Sequence, residues 1–132
     1  MINSKDLRLE NWVYNTHNIP MVVKTIGMDY IYVDFKNNPG DLLEFNTYNP
    51  FKPITLTEEI LLKIKGIEKH KSIKDRYVLK DSPYSFHIED GFWNEPSLDI
   101  MKNGMYIICV EHLHELQNTM FWLLKEELTV TL

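Results

Sequence analysis

A chain of 132 residues with 44% hydrophobic and 25% charged side chains has the size and make-up of one globular domain. Its net charge of −5 argues against bulk nucleic acid or an anionic membrane as partner, and no apolar run approaches the roughly 20 residues of a membrane-spanning helix. Cys109 is the single cysteine, so no internal disulfide can form, and the opening residues lack an apolar signal core. A soluble chain is therefore expected in the cytoplasm.

The first fifty residues read as short strands. Trp12-Val13-Tyr14 is apolar and aromatic, and Asn15–Asn18 is rich in turn formers. Pro20–Ile26 and Tyr30–Phe35 are β-rich runs separated by Gly27-Met28-Asp29. Lys36–Asp41, with Asn-Asn-Pro-Gly, is a turn signal before a further strand at Leu42–Phe45. Four strands with tight turns predict a small curled antiparallel sheet of the SH3-like kind.

Asn49-Pro50-Phe51-Lys52-Pro53 breaks the pattern, because proline removes a ladder donor and restricts the residue before it. It divides a β subdomain, residues 1–50, from an α+β subdomain, residues 51–132, within one compact unit. A helix is predicted within Ile54–Gly66. Thr55 with Glu58, or Thr57 followed by Glu58 and Glu59, supplies the start, the lysines near the end and Gly66 the stop, and Ile60, Leu61 and Ile64 the buried face.

Beyond it, Arg76–Lys80 and Tyr84–Glu89 flank Asp81-Ser82-Pro83 as hairpin arms. Tyr84, Phe86 and Ile88 alternate with polar residues, which places His87 on the solvent face. Leu98–Met101 and Met105–Val110 form a second hairpin across Asn103-Gly104. Cys109, inside that apolar run, is expected to be a buried, inert thiol. From Glu111 to Lys125 the period becomes helical, with Leu113, Leu116, Met120, Leu123 and Leu124 on one stripe. Leu128–Leu132 alternates like an edge strand. The fold class is therefore α+β: a small N-terminal sheet, a short helix, and hairpins packed by a C-terminal amphipathic helix.

Two features point to chemistry. Residues 63–80 carry seven Lys/Arg against two acids, among them Lys69, Lys71, Lys74 and Arg76. Such a patch suits an anion or an acidic partner, and equally a solvated surface. The second feature is Glu111-His112-Leu113-His114-Glu115. On a helix His112 and His114 stand about 200° apart, which argues against a zinc site and predicts no bound metal. A strand ending near His112 would bring their directions closer. Farther along, His114, Gln117, Asn118 and Phe121 follow one side of the helix and offer hydrogen bonds beside an aromatic ring. Trp93, in the loop Asp90–Pro96, is a candidate partner anchor or a core plug, and Trp122 is expected to be partly exposed. No glycine-rich phosphate loop, nucleophile elbow, Cys-x-x-Cys or His-Glu-x-x-His occurs, so no cofactor is expected and the enzyme question leans towards no.

The strings Leu7–Tyr14, Pro53–Leu61, His112–Asn118 and Glu126-Glu127-Leu128 resemble a family of uncharacterised small proteins of Bacteroidetes-type bacteria and their phages and prophages. That resemblance implies a non-enzymatic binding protein that inhibits host defence through a host protein or ligand partner, in the host cell cytoplasm where a phage encodes it. Three alternatives stand beside it. One is an oligomeric sponge for a nucleotide-like anionic ligand, which would make the chain a homo-oligomer. Another is a small metal-dependent or hydrolytic enzyme using His112 and His114. The last is a structural phage component.

Overall fold

The computed structural model describes residues 2–28, 30–35, 38–46, 51–91 and 95–132, and for Ser4 and residues 38–46 it describes the backbone alone. The architecture is α+β, as the sequence predicts. A four-stranded antiparallel meander runs β1 (Trp12–Tyr14), β2 (Pro20–Ile26), β3 (Tyr30–Phe35) and β4 (Asn38–Asn46), each strand pairing only with its chain neighbours. It does not close into a barrel. Alternation fixes its register: Met21, Val23, Ile31 and Val33 point inward and join Leu7, Val13 and Phe51 in a small core.

A second antiparallel meander contains β5 (Ile67–Lys69), β6 (Arg76–Leu79), β7 (Tyr84–Glu89), β8 (Ser97–Lys102) and β9 (Met105–Val110), in chain order. Asn103 and Gly104 both take positive φ, 52° and 78°, as a tight two-residue hairpin between β8 and β9 requires. Tyr77, Phe86, Leu98 and Ile100 face the larger core, which the helix α2 (Leu113–Leu124) closes with Leu113, Leu116 and Met120. Among the described residues no helix is long and apolar enough to cross a membrane.

Asn49 and Pro50 lie outside the described residues, and the described part of the proline-rich stretch, residues 51–53, is a seam rather than a linker. Tyr14 and Lys52 exchange backbone hydrogen bonds at 2.9 Å, and Phe51 is buried in the small core. Three residues on, Ile54 and Leu56 are buried in the large core, and the Ile54 carbonyl accepts from Leu113 N–H at 2.8 Å.

Four expectations change. β4 begins at Asn38, inside the predicted turn Lys36–Asp41, and the predicted edge strand Leu128–Leu132 is reduced to a single bridge at Val130. The helix α1 spans only Glu58–Leu61, capped by the Thr57 hydroxyl on the amide of Ile60. Its predicted continuation is drawn off by the C-terminal tail: Ile64 bridges Val130, and Lys65 N–H donates to the Thr129 carbonyl at 2.8 Å. Cys109 is exposed rather than buried, because β9 is an edge strand. Its thiol still titrates above the ordinary value, chiefly through desolvation, with the Asp99 carboxylate adding to the effect, and remains a poor nucleophile.

Candidate functional site

The residues predicted to line one side of α2 meet there, but their partner is the chain itself. Gln117 is 1% exposed; its Oε1 accepts from Trp12 N–H at 2.9 Å and its Nε2 donates to the Glu10 carbonyl at 2.8 Å. Asn118 Oδ1 accepts from Asn11 Nδ2 at 2.8 Å and from Arg8 Nε at 3.2 Å, while its Nδ2 donates to the Asp6 carbonyl at 3.1 Å. The Arg8 guanidinium lies 4.1 Å over the Phe121 ring and pairs with Glu127. Asn11, fully buried, accepts from Arg8 N–H at 2.8 Å and so fixes the turn that presents the arginine. The strings Leu7–Tyr14, His112–Asn118 and Glu126-Glu127-Leu128 thus form one clasp tying the N-terminal segment to α2. Sequence reading misses Arg8 and Asn11 as its members, since their partners lie more than 100 residues away.

At the N-terminal end of the same helix the polar groups are differently placed. The backbone of His112 is extended (φ −128°, ψ 155°), since its bridge to Thr55 carries the chain into the helix as a strand. That conformation brings the His112 and His114 rings together, stacked at 5.9 Å between centroids and 7° between planes. They are therefore not on opposite faces, as a continuous helix would have them. His112 Nδ1 donates to Glu115 Oε1 at 2.7 Å, and its Nε2 lies 3.4 Å from Glu95 Oε2. Glu95 also accepts from the Thr55 hydroxyl at 3.2 Å.

His114 is 5% exposed, and its Nδ1 has no hydrogen-bond partner. Burial lowers its pKa below the ordinary value of 6.5, Glu115 pulls the other way, and His112 adds to the lowering. The ring is accordingly neutral at pH 7. Both histidines open onto a cleft of about 580 Å³ between the N-terminal segment, the end of β9 and the first turns of α2. Asp6, Glu115, Asn118 and Thr119 also line it; among the described residues no Lys or Arg does. Its volume falls in the range of small-ligand and side-chain pockets. Among the described residues no set of three or more His, Cys, Asp or Glu side chains is arranged to hold a metal ion.

The basic segment contributes nothing to this cleft. Lys69 pairs with Glu58 at 2.9 Å, and that hydrogen bond holds the Glu58 carboxyl below its usual range. Burial, reinforced by Glu58, raises the Tyr77 hydroxyl to about 12. Lys71 and Lys74 are exposed in the β5–β6 turn, where His70 Nδ1 accepts the amides of Ser72 and Ile73. Arg76 stands directly across from His87, and Arg76 Nε and His87 Nδ1 are both buried without partners, so His87 is not simply a solvent-face residue. Trp93 lies outside the described residues, and Trp122 is exposed, as expected. No family model, curated protein or solved structure matches the chain.

Proposed function

We propose that this chain is a non-enzymatic binding protein whose partner enters the His112–His114 cleft, and that the partner is a protein segment presenting a lysine or arginine side chain. The observation that carries this reading is a cleft lined by Asp6, Glu115 and two histidines and, among the described residues, by no Lys or Arg, with His114 buried in its wall. Asp6 and Glu115 supply the charge that a guanidinium or ammonium group seeks, and the same charge opposes a nucleotide phosphate. The acidic lining therefore ranks a protein partner above a nucleotide sponge. A phage or prophage origin, with a host protein as target, agrees with the family resemblance.

A second reading rests on the 2.7 Å His112–Glu115 contact, which is the orienting half of an acid–base pair. It ranks lower because His112 Nε2 faces Glu95 rather than open cleft, and the thiol of Cys109, which also lines the cleft, is held protonated.

Fluorescence polarisation with labelled peptides tests the proposal. Arginine- and lysine-containing peptides should bind the wild type, and Glu115→Gln should weaken them at least several-fold with folding intact. Binding of labelled nucleotides in preference to basic peptides would refute it.

A further inference from the structure

The two edges of the five-stranded sheet are built in opposite ways. β5, at one edge, is three residues long and carries Glu68 and Lys69 exposed. Short, charged edges resist pairing with another chain. β9, at the other, is six residues long, with no charge and no proline from Asn103 to Val110. Met105, Tyr106, Ile107 and Ile108 are 75%, 63%, 39% and 42% exposed, so among the described residues nothing covers either face of this part of the strand. Among the described residues no strand pairs with its outer side.

We infer that β9 pairs antiparallel with β9 of a second copy, joining two five-stranded sheets into one of ten strands. The charges beside the strand favour a second copy. Lys102 stands at the hairpin end and Glu111 follows the other end. Antiparallel pairing brings the Lys102–Gly104 turn of one copy alongside Glu111 of the other, twice over, whereas parallel pairing would set like charges together. The uncharged middle of the strand matches itself.

The register of β9 shifts at Ile107: Ile100 faces Ile108 but Met101 faces Tyr106, so Tyr106 and Ile108 lie on opposite faces. Pairing with a second copy therefore runs on either side of Ile107 rather than through one unbroken ladder.

Ile108, Cys109 and Val110, at the end of β9, also line the cleft, but the pairing rests on the strand's open edge and not on His112 or His114. Sedimentation over a concentration series should show the wild type passing from monomer to dimer. Ile107→Lys, with circular dichroism and melting unchanged, should stay monomeric. A dimer that survives Ile107→Lys, or a wild type that is monomeric at every concentration, would overturn the proposal. If Ile107→Lys fails to fold, the double variant Ile107→Cys with Cys109→Ser decides. Its disulfide dimer should form roughly tenfold faster than that of Leu62→Cys with Cys109→Ser, because pairing raises the local thiol concentration. Equal rates would overturn the pairing. His112→Ala should dimerise like the wild type, so a failure here is separable from a failure of the cleft.

Discussion

The two ends of α2 use the same kinds of side chain to opposite effect. Toward its C-terminal half, Gln117 and Asn118 spend their amide groups on the N-terminal segment, and Phe121 lies beneath Arg8. In its first turn, His114 is almost as buried as Gln117 yet leaves a ring nitrogen unsatisfied beside an open cleft. A buried polar group with all its bonds made is architecture; one that lacks a bond and borders a cleft is available for recognition. Residue type alone does not separate the two cases.

Breaking the satisfied end should have the largest effect. Gln117→Leu leaves the Trp12 N–H and the Glu10 carbonyl without partners, and urea denaturation should show a loss of about 3 kcal/mol. Arg8→Ala removes the ring contact, the Asn118 hydrogen bond and the Glu127 pair together. A loss of about 2 kcal/mol is expected, of which Arg8→Lys should recover less than half, since an ammonium cannot stack and fork at once.

The unsatisfied end should respond to pH instead. The folded-state pKa of His114 is depressed, so its contribution to stability is complete above the unfolded value of 6.5 and is lost as pH falls toward the folded value. The melting temperature of the wild type should therefore fall in that window more steeply than that of His114→Gln. At the far end of the scale, Lys71→Ala and Lys74→Ala should each change stability by less than about 0.5 kcal/mol, because both side chains are exposed and touch neither core.

Strands were legible wherever alternation and a turn coincided: Tyr84, Phe86 and Ile88 with Asp81-Ser82-Pro83, and Met105–Val110 after Asn103-Gly104. Local pattern reports local structure, and it misleads where a distant segment competes. α1 ends early because Ile64 finds Val130, 66 residues on. Cys109 reads as core because an apolar run looks alike in a central and an edge strand, and strand order is a tertiary fact. The clasp was half visible. Its α2 residues showed as a polar stripe, but Arg8, Asn11 and the Glu10 carbonyl reach them only through the fold. The stacked histidines depend on one extended residue, His112, held so by its bridge to Thr55. Spacing along an assumed helix could not reveal it.

The most direct test of the central claim is a map of backbone amide shifts by NMR as a short arginine-containing peptide is titrated into the isotope-labelled protein. The account predicts perturbations at His112, His114, Glu115 and Thr119, with residues 69–76 unmoved. Perturbations confined to residues 69–76, or none at His114 while the peptide binds, would contradict it.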